Sequence, residues 1–498
     1  MRKTLLAAVI AVSTLTLPSQ AAPWVDTSDI YLRADIQALA DAGVITVPVN
    51  TFPLMWAGIG KDLAKTEPST LSPALMEAFA RVNFYYRNAI DNRGPASVKV
   101  AAATDPARFQ NFGADYREQG ELKASYDYVG ERFAFKVSGS ANYMSDEEKA
   151  LRPGEKEFRL EESYVAAVLG NWVMTAGTLS QWWGPGFDTG LIKTSNARPM
   201  PTVMISRNDA HGFETPWLSW IGPWTLSAGV SMFEKERYAP HALLWNMRGT
   251  VRPLQQLEVG FSWTTQFCGE GQECGTDVFL KALTGQKDCD ANGECTNYGN
   301  QMAGFDIRYS DTFWDVPVGL YLEKTCEDSS GPSPLDLADC GYLYGADTRF
   351  GGKQQQYKLF FEYTDTLRAC GEDPNAFNCF YEHGTYRSGS RYYGRALGST
   401  YDSDSHVYVL GLIGQYQNSH GLKAFLRYAQ LNKDGKSPAN GWSPIVPKED
   451  LLMLEMSYRL PVWRGMLSLG GTVSNSEFKQ TDNSDTNATV FGTYEYKF

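Results

Sequence analysis

The last eleven residues, ATVFGTYEYKF, put Ala488, Val490, Gly492, Tyr494, Tyr496 and Phe498 on one side of an extended chain. Thr489, Phe491, Thr493, Glu495 and Lys497 fall on the other. Successive strand side chains point to opposite faces, so this period makes a ribbon with one apolar face. The period recurs along the chain. Tyr357, Leu359, Phe361 and Tyr363 oppose Lys358, Phe360 and Glu362; Leu122, Ala124, Tyr126 and Tyr128 oppose Lys123, Ser125 and Asp127. Residues 452–460 alternate in the same way against Glu455, Ser457 and Arg459. No segment offers the 18 consecutive apolar residues of a membrane-crossing helix. With 27 Tyr, 25 Phe and 13 Trp, such a chain is either a large soluble β-protein or a β-barrel that crosses a membrane. The terminal aromatic on the apolar face favours the barrel, because it is similar to the C-terminal signal by which outer-membrane barrels are inserted.

Strands of ~9–11 residues suffice to cross. Alternating segments start near residues 96, 120, 131, 157, 171, 201, 222, 242, 255, 302, 314, 341, 355, 405, 421, 450, 465 and 487. That is an even number, as a bacterial barrel requires. The expected fold is therefore an all-β transmembrane protein, an 18-stranded antiparallel outer-membrane β-barrel. Connection lengths agree with this parity, since such barrels have short periplasmic turns and long external loops. If the first strand runs outward, the connections near 104–119, 145–156, 181–200, 234–241, 267–301, 324–340, 365–404, 432–449 and 476–486 are external. The others are mostly a few residues, with one misfit, 208–221, which is long on the short side.

The chain start reads as an export signal over residues 1–21: Arg2 and Lys3, an apolar run from Leu5 to Leu17, then Ser19-Gln20-Ala21 as a small-x-small cleavage site. Its removal takes the formal net charge from −12 to about −14, which argues against a nucleic-acid partner. Residues 22–94 form a small N-terminal helical bundle, expected on the periplasmic side, and 95–498 the barrel. In the first helix Ile30, Arg33, Ile36-Gln37 and Ala40 frame an apolar stripe through Leu32, Ile36 and Leu39 that stops at Gly43. A second helix enters at Ser72-Pro73 and ends before Asn92-Arg93-Gly94, with a short one near Lys61. About 70 residues are enough for a helical cap and too few for an independent enzyme domain.

All eight cysteines fall in three of the external loops: Cys268, Cys274, Cys289 and Cys295, then Cys326 and Cys340, then Cys370 and Cys379. An even count in an exported chain argues for disulfides. Two loops each hold one pair, which nearly forces Cys326–Cys340 and Cys370–Cys379; the four-cysteine loop leaves three pairings open. No cofactor and no metal are expected. The run DCDANGE at 288–294 begins like a calcium loop, but its twelfth place is Gly299, where a bidentate Glu is needed. The five histidines form no cluster and the G-x-S-x-G elbow is missing, so no catalysis is expected.

The fifth expected strand runs outward into SQWWGPGFDTG at 180–190, where two adjacent tryptophans meet Gly-Pro-Gly and an acid. Two further stretches follow, SNARPMP and WLSWIGPW. Together with LRADIQALADAGVI, PVNTFPLMW and the terminal aromatic, this ordered set resembles the capsule-assembly Wzi family. The resemblance covers most of the chain and is strongest over 24–90 and 175–235. It implies an eighteen-stranded outer-membrane barrel with a periplasmic helical bundle and a closed lumen. It also implies a lectin role, holding capsular or related exopolysaccharide at the cell surface and assisting capsule assembly.

Indoles cover the apolar face of a sugar ring, Asn and Asp satisfy its hydroxyl rim, and Arg pairs bidentately with the carboxylates of acidic sugars. Candidate carbohydrate-binding residues are therefore Trp182, Trp183, Asp188, Asn196, Arg198 and Arg207. A second set lies in the loop YEHGTYRSGSRYYGRALGSTYDSDS: Tyr386, Arg387, Arg391, Tyr392, Tyr393 and Arg395. A competing reading makes Trp182 and Trp183 packing residues of a fixed turn that plugs the lumen, and pairs the loop arginines with acids or lipid phosphates. Expected partners are an acidic capsular or exopolysaccharide, outer-membrane lipid and lipopolysaccharide, and the barrel assembly machinery, with the chain a monomer. The alternative function is a porin or diffusion channel for small or saccharide solutes. Eighteen strands enclose a bore wide enough for water, and Lys123, Asp127, Lys358 and Glu362 would line it.

Overall fold

Eighteen antiparallel strands close into a barrel whose last strand pairs with its first, from Phe491 opposite Ala103 to Lys497 opposite Ser97. The structure is a computed structural model that describes residues 24–91, 93–152, 154–285, 287–289, 295–327, 340–368, 379–436 and 446–498. In chain order the strands are β1 (Ala96–Ala103), β2 (Gly120–Val129), β3 (Phe133–Tyr143), β4 (Tyr164–Leu169), β5 (Trp172–Thr178) and β6 (Pro201–Arg207). They continue as β7 (Trp224–Met232), β8 (Leu243–Leu254), β9 (Leu257–Phe267), β10 (Asn300–Phe313), β11 (Val316–Glu327) and β12 (Cys340–Gly351). The last six are β13 (Gln355–Asp365), β14 (His406–Tyr416), β15 (Gly421–Leu431), β16 (Glu449–Val462), β17 (Gly465–Phe478) and β18 (Asn483–Lys497). A two-residue piece, Phe158–Arg159, also pairs with β3 and is the detached start of β4. Every expected strand is present, each starting within four residues of its expected position when the detached piece at Phe158 is counted as the start of β4.

The alternation does what the period of two requires. Val490 and Val203 stand 66% and 59% exposed on the outer wall, while Thr489, Phe491, Lys358, Phe360 and Glu362 turn inward and are buried. A continuous apolar exterior over a closed ladder is the surface of a membrane-spanning barrel, because no edge or unpaired backbone meets lipid. Aromatic side chains mark the short-turn rim: Trp314 and Trp463, at turn tips, are 97% and 92% exposed, and Trp217 and Trp220 are exposed on the connection 208–221. These take the interfacial-belt role; Trp182 and Trp183, 0% and 1% exposed, do not.

The N-terminal region differs in one respect from a simple cap. Helix α1 (Ile30–Asp41), with Asp29 capping the amides of Tyr31 and Leu32, is buried over almost its whole length. It lies across the bore rather than below it. Asp29 at its start pairs with Arg459 of β16 at 2.9 Å, and Asp41 at its end pairs with Arg308 of β10 at 3.1 Å and Arg349 of β12 at 3.0 Å. Twelve residues at ~1.5 Å each make a rod long enough to bridge those walls. Helix α2 (Trp56–Lys65) and helix α3 (Pro73–Ile90) pack outside it, α3 through Arg81 to Asp35 at 2.7 Å. The misfit connection 208–221 is long because it clasps α2: Asp209 pairs with Lys61 at 2.5 Å and His211 with Asp62 at 2.8 Å.

Cys326 is bonded to Cys340, as expected, and the four-cysteine loop contains Cys268–Cys274. Cys289 and Cys295 are register partners in a short hairpin. Cys379 is disulfide-bonded; Cys370 lies outside the described residues, as do the export signal and part of the 288–294 run.

Two outcomes follow from this arrangement. An epitope inserted between Thr481 and Asp482, in the exposed β17–β18 turn, is reached by antibody on intact cells, and one between Gly352 and Lys353 only after permeabilisation. Hydrogen bonds donated to the Asp209 and Asp62 carboxylates raise the His211 pKa from 6.5 to about 9. The folded value exceeds the unfolded one, so this clasp contributes fully below about 6.5 and is lost as pH rises through about 9. Amide protection in α2, corrected for the intrinsic pH dependence of exchange, is expected to fall over that window, and in a His211→Gln variant that fall disappears.

Candidate functional site

The double tryptophan begins a loop that turns back into the barrel. Trp182 and Trp183 pair as a two-residue strand with Phe52 and Thr51, deep in the lumen. Gly184 has φ +116, where a side chain is strained, and a Cβ on Gly186 would collide with the Thr189 carbonyl oxygen. The Gly-Pro-Gly turn thereby aims three carbonyls at one point, where Arg33 of α1 meets them. Its guanidinium donates to the oxygens of Gly186 at 2.8 Å, Pro185 at 3.0 Å and Gly184 at 3.2 Å. It is stacked between the rings of Phe187, 4.2 Å away, and Phe112, 4.4 Å away. The Trp182 indole N–H donates back to Gly186 O at 3.0 Å.

Charged wall residues hold the plug. Glu362 of β13 accepts from the amides of Phe187 at 2.6 Å and Asp188 at 3.1 Å, and Glu323 of β11 from Leu191 at 2.8 Å. Asp188 pairs with Arg427 of β15 at 2.8 Å and accepts from the Tyr401 hydroxyl. Further along the same arc of wall, Glu258 of β9 accepts from Val49 and Asn50, and Arg248 of β8, paired with Asp306, donates to Thr51 and Asn50. Lys358, expected to line a pore, pairs with Asp347 at 2.7 Å. Of the groups expected to solvate a channel, Glu362 holds the filling and Lys358 is committed to a wall carboxylate.

The first candidate set therefore splits. Trp182, Trp183 and Asp188 belong to the buried plug. Asn196 is buried above it, donating to the carbonyls of Ala396 at 2.9 Å and Ser399 at 3.3 Å. Arg198 is enclosed by Glu118 at 2.7 Å, Glu161 at 2.6 Å and Glu155. Burial raises the Glu118 carboxyl, but Arg198, Arg152 and neighbouring arginines outweigh it and hold it at about 2. Arg207 is at the opposite end of the barrel, donating to the carbonyls of Trp224 and His211 with its guanidinium over the Trp224 ring.

The loop set splits as well. Tyr386 and Tyr392 are buried, and Arg391 is locked to Asp402 and Glu382, each at 2.6 Å. Arg387 is exposed over the Tyr238 ring, Tyr393 is half-buried, and Arg395 is half-buried on the carbonyl oxygens of Ala107 at 3.1 Å and Arg108 at 3.4 Å. Nearby, Arg117 donates to the carbonyl of Asn196 at 2.7 Å and to that of Ser195. Among the described residues neither Arg117 nor Arg395 forms an ion pair. The long-loop end thus holds two arginines whose hydrogen bonds go to carbonyl oxygens rather than to carboxylates. The residues that sequence reasoning missed, Arg33, Arg117 and Glu118, stand in stretches whose spacing gives no sign of where they point.

Replacing Arg33 by Ala leaves the Gly184–Gly186 carbonyls unmet in a dry site, at about 1.5–3 kcal/mol per charged hydrogen bond lost. The expected Arg33→Ala protein still runs as a heat-modifiable barrel but is nicked by protease within residues 184–200 and shows fluctuating conductance in a planar bilayer, where the parent is silent.

A profile of the family described as Capsule assembly protein Wzi matches residues 89–490. A Klebsiella pneumoniae protein described as an uncharacterized 55.8 kDa protein in the cps region is 29% identical over 341 residues, 68% of this chain and 64% of that protein. The match thus spans somewhat less than two thirds of that relative's length. Among solved structures, Escherichia coli Wzi, described as an outer-membrane, carbohydrate-binding β-barrel involved in group 1 capsule assembly, superposes with a TM-score of 0.80 at 24% identity. That superposition covers 95% of this chain and 99% of that one. With the family profile covering most of the barrel and the fold shared throughout, the chain belongs to the capsule assembly protein Wzi family.

Proposed function

We propose that this protein is a non-catalytic outer-membrane lectin that holds a capsular or related exopolysaccharide at the cell surface and assists capsule assembly. The observation that carries the reading is the filled bore. α1 bars one end and the loops 104–119, 179–200 and 379–405 fill the other, so the barrel offers a rigid surface instead of a path. On this reading the long loops face outward and the helices face the periplasm. The apolar wall meets lipid and lipopolysaccharide, and the terminal aromatic strand addresses the barrel assembly machinery.

The acidic character of the polymer is supported by Arg117, Arg387 and Arg395. Burial, with Arg117 and Arg152 nearby, pulls the Arg395 pKa well down, and an added anion would offset both effects. A uronate or other sugar acid supplies that charge through a bidentate hydrogen bond. The diffusion-channel alternative requires Lys123, Asp127, Lys358 and Glu362 to face a water-filled bore, and of these Lys358 and Glu362 are engaged in the packed interior. The non-catalytic reading is supported by the two adjacent serine–histidine pairs: the His420 imidazole is bonded to the Tyr458 hydroxyl at 2.7 Å, and that of His406 to Lys433 at 2.8 Å and Asp365 at 3.3 Å.

Deleting the gene is expected to leave polymer synthesis intact and move polymer from cells to medium. An Arg387→Ala/Arg395→Ala strain partly reproduces that shift at unchanged barrel abundance, and the residual binding weakens further as salt is raised. Arg391 is left out because its two ion pairs hold the loop together. Polymer that stays on the deletion strain overturns the retention role.

A further inference from the structure

The loop 104–119 has two sides. One faces Arg395, which donates to the carbonyls of Ala107 and Arg108. The other closes a cleft of about 160 Å³ against the outer halves of β16, β17 and β18. Here a patch of the inward-facing wall is left open: Thr472 and Ser474 of β17 line the cleft, and their hydroxyls make no hydrogen bond among the described residues. Thr489 of β18 donates to Asp105 at 3.2 Å across the cleft. Tyr116, its ring 4.5 Å from that of Phe491, lines it from the loop side.

The charge of this cleft is opposite to that on the other side of the loop. Its cation, Arg108, is committed to Glu449 at 2.9 Å. Asp105 forms no ion pair among the described residues, and neither does Asp485, which also lines the cleft. Free hydroxyls and carboxylate oxygens accept hydrogen bonds from sugar hydroxyls, and those to carboxylates are the stronger. They repel a sugar acid, whose own carboxylate would face Asp105 without a counter-charge. Phosphate or a uronate has no partner here; an uncharged ring with several hydroxyls does.

We propose that this cleft is a subsite for an uncharged sugar unit of the polysaccharide, and that Asp105 makes it reject acidic units. The inference rests on the reading of the protein as a polysaccharide lectin and adds to it the chemistry of one contact. The polymer then lies across the loop 104–119, an acidic unit toward Arg117 and Arg395 and a neutral unit in the cleft.

The test uses the purified full-length protein in detergent and the surface polysaccharide of the producing strain, immobilised. Neutral methyl hexosides (gluco, galacto and manno) are expected to compete for binding in at least one case, and glucuronate and galacturonate to compete only weakly. Ser474→Leu, which fills the cleft from a wall position, lowers polymer affinity by about tenfold, one strong contact's worth, with heat-modifiable migration unchanged. Asp105→Asn, which keeps size and hydrogen bonding, narrows the gap between uronates and neutral hexosides. Uronates competing as well as neutral hexosides against the parent, or a folded Ser474→Leu protein binding like the parent, overturns the subsite and leaves the lectin reading standing. A parent protein that binds no polymer overturns that reading and the subsite with it.

Discussion

A single buried guanidinium organises the interior. An eighteen-stranded barrel encloses more space than its own inward side chains fill, so the bore must hold water or a plug. Here the plug is assembled around Arg33, whose partners lie about 150 residues away in sequence. A cation removed from water needs its hydrogen bonds replaced, and three carbonyls of one tight turn with two aromatic faces do so. Only a turn with glycine at 184 and 186 presents those carbonyls together. The tryptophans before it seal the site from one side, and Phe112, delivered by the loop 104–119, seals it from another. Three chain segments thus become one body because one charge cannot be left unmet.

The wall continues the same logic. Pairing two ions out of water gains little net stability, since desolvation offsets most of the attraction. What such pairs give is position. Glu323, Glu362, Arg427, Arg248 and Glu258, spread over β8 to β15, each meet a particular backbone group or carboxylate of the plug. Because strand side chains alternate, a one-residue slip of any of these strands would turn the charge into lipid and a hydrocarbon into the bore. The register of the wall and the seating of the plug therefore enforce each other. The same constraint explains why the inward faces are so polar in a barrel whose centre is dry.

How much of this was legible follows from the range of each interaction. The strands are local: a period of two with turn signals between them identifies β13, β17 or β18 without reference to anything distant. The parity of the connections is nearly local too, and its one misfit, 208–221, has its cause in Asp209 and His211 clasping α2, a contact that no window contains. The plug is non-local throughout. Arg33 reads as the edge of an amphipathic stripe, and α1 as a cap; that the helix crosses the bore depends on Arg459, Arg308 and Arg349, hundreds of residues on. Arg387, Arg391 and Arg395 are alike by type and spacing, yet one stacks in the open, one is locked between two acids and one rests on carbonyls. Composition locates the loop; only packing distributes the roles. Arg207, grouped by sequence with Arg198, belongs to the other end of the barrel.

Sealing the bore also determines where recognition can happen. A long polymer cannot thread a filled barrel, so any contact must be made across the long-loop end, by loops that would ordinarily be mobile. The loop 104–119 escapes that mobility because its middle is part of the plug: Phe112 packs on Trp182, its amide donates to Phe187 O at 3.1 Å, and Gly113 donates to Thr27 O at 3.0 Å. Its two outer faces are thereby fixed relative to β17 on one side and Arg395 on the other. A binding surface that is ordered before the ligand arrives does not lose affinity to ordering itself. The buried turn at 184–186 and the exposed mouth are, in this sense, one device: the interior holds the loop still, and the loop divides the surface into a carboxylate-lined side and an arginine-lined side.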